Sequence, residues 1–93
     1  MRKIVINRVH GGFGLVDSVK EEYNRIKKTG LEWDHEFPRD DPVLIEIIER
    51  IGLDKSADRY AELKIVEIPD DVEWTIDEYD GLEWVAEKHR TWR

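Results

Sequence analysis

Apolar and polar positions follow two rhythms along the 93-residue chain, and each change of rhythm predicts an element. Ile4, Val5 and Ile6 are consecutive and β-branched. Lys3–Arg8 therefore reads as a strand covered on both faces. Gly11, Gly12 and Gly14 break that run. Leu15, Val16, Val19, Tyr23 and Ile26 then recur at helical spacing, and Lys27, Lys28 and Gly30 close the helix. Leu31–Arg39, with Trp33, His35 and Phe37, carries no period and reads as a connection. Asp41-Pro42 is a helix start, aspartate as cap and proline at the first position. Apolar residues at 43, 44, 47, 48 and 51 line one face of that helix, which stops at Gly52. Residues 53–61 read as a polar loop, with a helical turn allowed at Ala57–Ala61.

The period returns to two at Leu63–Ile68, a strand stopped by Pro69-Asp70-Asp71. Val72, Trp74 and Ile76 then alternate with Glu73, Thr75 and Asp77, a half-buried strand. Asp80-Gly81 supplies the two positive φ values of a type I′ turn, so Leu82–His89 is read as the returning strand. A rival reading makes Asp80 a cap and Leu82–His89 a helix, since Leu, Glu, Ala and Lys favour helices. The expected architecture is a single α+β domain spanning residues 1–93. It has a small mixed sheet of about four strands, in the order β-α-α-β-β-β, and two helices on one face.

Composition narrows the chemistry. The chain has no cysteine, which excludes disulfides, thiolate catalysis and cysteine-held metals. No apolar stretch matches a signal peptide or membrane span, so a cytoplasmic location is expected, without membrane association. The net charge of −7 is unevenly spread. Residues 1–28 hold seven Lys/Arg against three Asp/Glu, whereas Glu67–Glu83 holds eight acids and no base. Such a surface repels nucleic-acid backbones, and duplex binding is not expected. Four tryptophans in so polar a chain point to an interface or ligand pocket, and a homo-oligomer is expected to hide some of them.

Candidate chemistry concentrates where the first strand ends. Asn7 and Arg8 precede the glycine loop and a helix start, an order that places main-chain N–H groups beside a guanidinium. Anions bind well at such places. The expected ligand-binding residues are Asn7, Arg8, His10, Gly11, Gly12, Phe13 and Gly14, with Trp84 and Trp92 as rings that stack on a base. Phe13 has a competing role as a core plug, and the glycines a competing role as a tight turn. The loop is neither a Walker motif nor a dinucleotide fingerprint. His10, His35 and His89 match no metal-ligand spacing, so no metal, cofactor or catalytic residue is assigned. The acidic stretch Glu67–Glu83 is either a face that imitates a phosphate backbone or the solvated side of a hairpin. Lys88–Arg93 forms a basic, aromatic tail.

Several segments together resemble a family of small, uncharacterised proteins from phages, prophages and bacteria. Members open with Ile-Asn-Arg-Cys-Tyr-Gly-Gly-Phe-Gly-Leu-Ser. They continue through an Arg-x-Asp-Pro-x-Leu helix start and end on Val-Glu-Ile-Pro-Asp-Asp-Val, Tyr-Asp-Gly and Glu-Lys-His-Arg-Thr-Trp. The matching stretches here are Ile6–Leu15, Arg39–Leu44, Val66–Val72, Tyr79–Gly81 and Glu87–Trp92. The chain departs from the pattern at Val9, His10 and Val16, so any role needing that thiol, phenol or hydroxyl is not open to it. The resemblance implies a shared α+β fold and a phage or prophage setting, hence a host-cell cytoplasm, and carries no established activity. The resulting expectation is a non-enzymatic binding protein, by analogy a counter-defence sponge that sequesters a phosphate-bearing, cyclic nucleotide signal. The alternative is an acidic inhibitor of a host nucleic-acid-binding enzyme, and a small hydrolase with His10 as base is a third reading.

Overall fold

The computed structural model describes residues 1–87; Trp92 and the basic tail Lys88–Arg93 lie outside them. Four strands and two main helices appear in the expected α+β order. Strand β1 (Arg2–Asn7) pairs antiparallel with β2 (Leu63–Ile68), placing Ile4 opposite Val66 and Val5 opposite Ile65. Strands β3 (Trp74–Tyr79) and β4 (Leu82–Glu87) form a hairpin with Ile76 opposite Val85. Asp80 (φ 50°) and Gly81 (φ 88°) make its turn, so the returning segment is a strand and the helical alternative is excluded.

The strands do not join into one mixed sheet; they form two separate antiparallel pairs. The reason lies at the free edge of β1. The Val5 N–H donates to the Arg39 carbonyl at 2.9 Å, and the Asn7 N–H donates to a Glu83 carboxylate oxygen at 2.8 Å. The Arg39 guanidinium donates in turn to the Val5 carbonyl at 3.3 Å. The donors and acceptors that β4 would need are thus already engaged. A closed edge of this kind also blocks strand addition by other chains.

The result is three layers. Alternation along β1 sends Val5 and Asn7 to one face, Ile4 and Ile6 to the other. The first face packs with Leu63 against helices α1 (Asp17–Lys27) and α2 (Pro42–Ile51), where Val19, Tyr23, Phe37, Leu44, Ile47 and Ile48 complete the main core. The second face, with Val66 and Ile68, meets Trp74, Ile76 and Val85 of the hairpin. The β1–β2 ribbon is therefore the middle layer, which explains its unbroken β-branched run.

Helix boundaries follow local chemistry. Asp41 caps α2 by accepting from the Val43 N–H at 2.8 Å, Pro42 occupies the first turn, and Gly52 (φ 110°) ends the helix. Helix α1 begins at Asp17 rather than Leu15, because Leu15 is drawn into a bridge with Ala57. It ends at Lys28, which takes the left-handed conformation (φ 57°) expected two residues later at Gly30. The segment expected as a loop contains a single helical turn, α3 (Leu53–Ser56). No helix among the described residues is long and apolar enough to cross a membrane.

The cap also ties the helices together. Tyr23 donates its hydroxyl to Asp41 at 2.8 Å, and Lys27 stands 3.5 Å from the same oxygen. Burial pushes the Asp41 carboxyl upward, but the Tyr23 and Val43 hydrogen bonds and the Lys27 charge outweigh it and hold it below 3.8. A carboxyl depressed in the folded state contributes stability above its ordinary value, lost as pH falls through the folded value. Burial, with the Asp41 bond, pushes the Tyr23 phenol up to about 12. Tyr23→Phe is expected to lower stability at neutral pH by about 1.5 kcal/mol. It should also flatten the acid limb of a stability–pH curve measured by urea unfolding.

Candidate functional site

The end of β1 is filled by the chain itself. Asn7 is fully buried. Its side-chain amide donates to the Val9 carbonyl at 2.5 Å and to the Gly81 carbonyl at 2.7 Å, and its Oδ1 accepts from the Glu62 N–H at 2.9 Å. Every hydrogen-bonding group of that side chain is used in pinning three loops together. Arg8 turns outward to an exposed pair with Glu62 at 3.3 Å. The Leu15 N–H donates to Asp34 at 3.1 Å, and Lys20 neutralises that carboxylate at 2.9 Å. The anion seat expected between Asn7, Arg8 and the helix start is thus occupied internally: Glu83 holds the Asn7 N–H and Asp34 the Leu15 N–H.

Glycine is required here for close packing. Gly14 is buried against Asp58, whose carboxylate lies where a Cβ would sit. Gly81 rests directly on the Gly11–Gly12 backbone, its Cβ position overlapping the Gly12 nitrogen and lying 2.7 Å from that of Gly11. The turn of the hairpin and the glycine loop therefore meet face to face.

Beneath that contact lies a buried ion pair that the sequence analysis did not single out. Arg39 donates to both oxygens of Glu83, at 2.7 and 2.8 Å, with the two side chains only 16% and 10% exposed. The guanidinium lies 3.5 Å from the centre of the Phe13 ring. Phe13 is packed against the main core, so the plug reading applies, yet it also supports the cation that lines the surface.

Two concavities open on either side of the Gly12–Gly81 contact and share those two residues. One, of about 500 Å³, is bounded by His10, Gly11 and Asp80. Among the described residues nothing accepts from the Gly11 or Gly12 N–H. His10 holds its place through Nδ1, 3.1 Å from the Asp80 carbonyl, and packs edge-on to Tyr79. The other, of about 390 Å³, is framed by Phe13, Trp33, His35, Arg39, Glu78 and Glu83. Trp33 is 64% exposed on a short turn (Asp34–Glu36) locked by Glu36, whose carboxylate accepts from the Trp33 and Glu32 N–H groups at 2.9 and 3.1 Å.

Of the expected site residues, His10, Gly11, Gly12 and Phe13 thus share one surface. Asn7 and Gly14 form its buried frame, and Arg8 stands apart on its pair with Glu62. Trp84 is 44% exposed and borders neither concavity: it lies opposite Asp77, on the hairpin face turned away from Ile76 and Val85. The rings that do stand at the loop are Trp33, in the irregular segment, and Tyr60, 63% exposed, whose carbonyl abuts Gly11. No sequence signal marks Trp33 beyond its type. Among the described residues no cluster of three His, Asp or Glu is placed to hold a metal ion. Comparison with protein-family models, curated proteins and solved structures gives no match for the chain.

Proposed function

We propose that this chain is a non-enzymatic binding protein for a small phosphate-bearing ligand of nucleotide type. The observation that carries the reading is the pair of concavities sharing Gly12 and Gly81, one bounded by the glycine loop, Asp80 and the His10 imidazole, the other by rings. A phosphate in the first would sit beside His10 and the glycine loop, whose Gly11 and Gly12 N–H groups have no acceptor among the described residues. A base on the other side meets the indole of Trp33 and the Arg39 guanidinium, and stacking of this kind contributes roughly 1–3 kcal/mol per base. Concave sites with a few polar groups among apolar ones are the usual form of small-molecule sites.

Calorimetry with inorganic phosphate and a panel of linear and cyclic nucleotides tests the proposal. Binding by at least one nucleotide is expected, weakened about tenfold or more by Trp33→Ala. His10→Ala should weaken the phosphate contribution. Arg8→Ala should change affinity less than about threefold, because its head group is turned away and screened. Asp80→Asn should strengthen binding, since it removes a negative charge from the phosphate side. Silence across the panel overturns the reading, and product formed from a bound nucleotide overturns its non-enzymatic part.

A second reading has its own observation. Seven of the eight acids in Glu67–Glu83 are exposed, Glu83 alone being turned inward. The outward face of the hairpin carries Trp84 and Tyr79, the latter 70% exposed. Aromatic anchors within an acidic rim suit the basic face of a nucleic-acid-binding enzyme. Retention of a purified nuclease or polymerase on the immobilised chain, released by competing duplex and lost in Trp84→Ala/Tyr79→Ala, would establish it. Light scattering on the same variant would show whether that face joins copies of the chain instead.

A further inference from the structure

We infer that the ring-lined half of this site selects guanine over other bases, through the carboxylate of Glu78; the inference rests on the nucleotide reading above. Polar side chains around that cleft are mainly carboxylates, which accept hydrogen bonds and donate none when ionised. Three of them line it, and two are already paired with a cation. Asp34 holds the Leu15 N–H and Lys20. Glu83 holds both Arg39 donors and the Asn7 N–H.

Glu78 is different. It lies directly across the hairpin from Glu83, so both carboxylates project from one face of the ribbon. One of its oxygens accepts from the Gly81 N–H at 2.8 Å, which fixes the side chain against the turn. Among the described residues no cation pairs with it, and its other oxygen has no donor. A ring seated beside Trp33 therefore meets an anchored acceptor with spare capacity.

The bases differ in what they offer it. Guanine presents two adjacent donors, N1–H and the N2 amino group, which match the two oxygens of a carboxylate. Hypoxanthine keeps N1–H and lacks the amino group. Adenine and cytosine place a ring-nitrogen acceptor beside their amino group, and that acceptor faces the carboxylate repulsively. Uracil flanks its single N–H with two carbonyl oxygens. A site whose polar groups need donors rejects a ligand that brings acceptors.

Calorimetry on the full chain with GMP, IMP and AMP, and with the cyclic dinucleotide of guanine, reads the selection directly. GMP is expected to bind about tenfold more tightly than IMP, with AMP weaker again. Tighter binding of the cyclic form than of GMP would assign the second base a place on the surface. Glu78→Gln keeps an acceptor for the Gly81 N–H and should bring the three mononucleotides within about threefold of one another, with an unchanged thermal midpoint. Equal affinity of the wild-type chain for all three overturns the guanine inference and leaves the nucleotide reading standing. Loss of discrimination only in variants that also lose their thermal midpoint overturns the role of Glu78. Failure of every nucleotide to bind overturns both.

Discussion

Glu83→Ala is expected to cost about 3–5 kcal/mol of folding stability, read as a lower midpoint in urea or thermal unfolding. Domains of this size hold roughly 5–10 kcal/mol in all, so the variant sits near the edge of folding. Truncation leaves the Arg39 guanidinium buried without its carboxylate and strips the Asn7 N–H of its acceptor in one step. A charge left unpaired away from water is far costlier than a lost surface pair. The outward Arg8–Glu62 pair provides the contrast, with both side chains more than half exposed. Glu62→Ala should change stability by no more than about 1 kcal/mol. Equal effects at Glu83 and Glu62 would show that the Arg39–Glu83 pair is solvated, and with it the closed edge of β1.

Gly81→Ala is expected to destabilise by about 3 kcal/mol or more, because two costs fall on one atom. Gly81 has φ +88°, where a side chain is strained, and its Cβ would overlap the Gly12 nitrogen. The overlap is with backbone, so no rotamer change relieves it. Gly30 is the matched control: it is exposed, has open space at its Cβ position and is expected to shift stability by under about 0.5 kcal/mol on conversion to alanine. The prediction extends to binding. Parting the hairpin turn from the glycine loop separates the two concavities, so any Gly81→Ala protein that still folds should lose nucleotide affinity. Retained affinity would show that the two halves act independently.

What the sequence made legible was local. Asp41, Pro42 and Gly52 bound their helix within a few residues of its ends, and Asp80-Gly81 defines its own turn. The β-branched run at Ile4–Ile6 correctly implied cover on both faces. Illegible were relations between distant positions. Asn7 looked like a ligand group because its true partners, Glu62 and Gly81, lie 55 and 74 residues away. Arg39 and Glu83 are 44 residues apart, and nothing in either neighbourhood announces the other. That unseen pair is also what divides four strands into two ribbons, so the same gap hid the sheet arrangement and the occupied anion seat. Alternation in the hairpin told which residues face inward, but not that Glu83 would serve as the internal anion.

Because the first strand is the middle layer, its order of synthesis matters. Arg2–Asn7 leaves the ribosome before either of the elements that flank it in the native state. Its antiparallel neighbour ends at Ile68, and the cover for Ile4 and Ile6 comes later still. Helices can form in the meantime, but no native pairing of this strand is open to a shorter nascent chain. Native pairing of this strand therefore waits until Ile68 has emerged and its full cover until the hairpin has, and through that interval three consecutive β-branched residues lack their native neighbours.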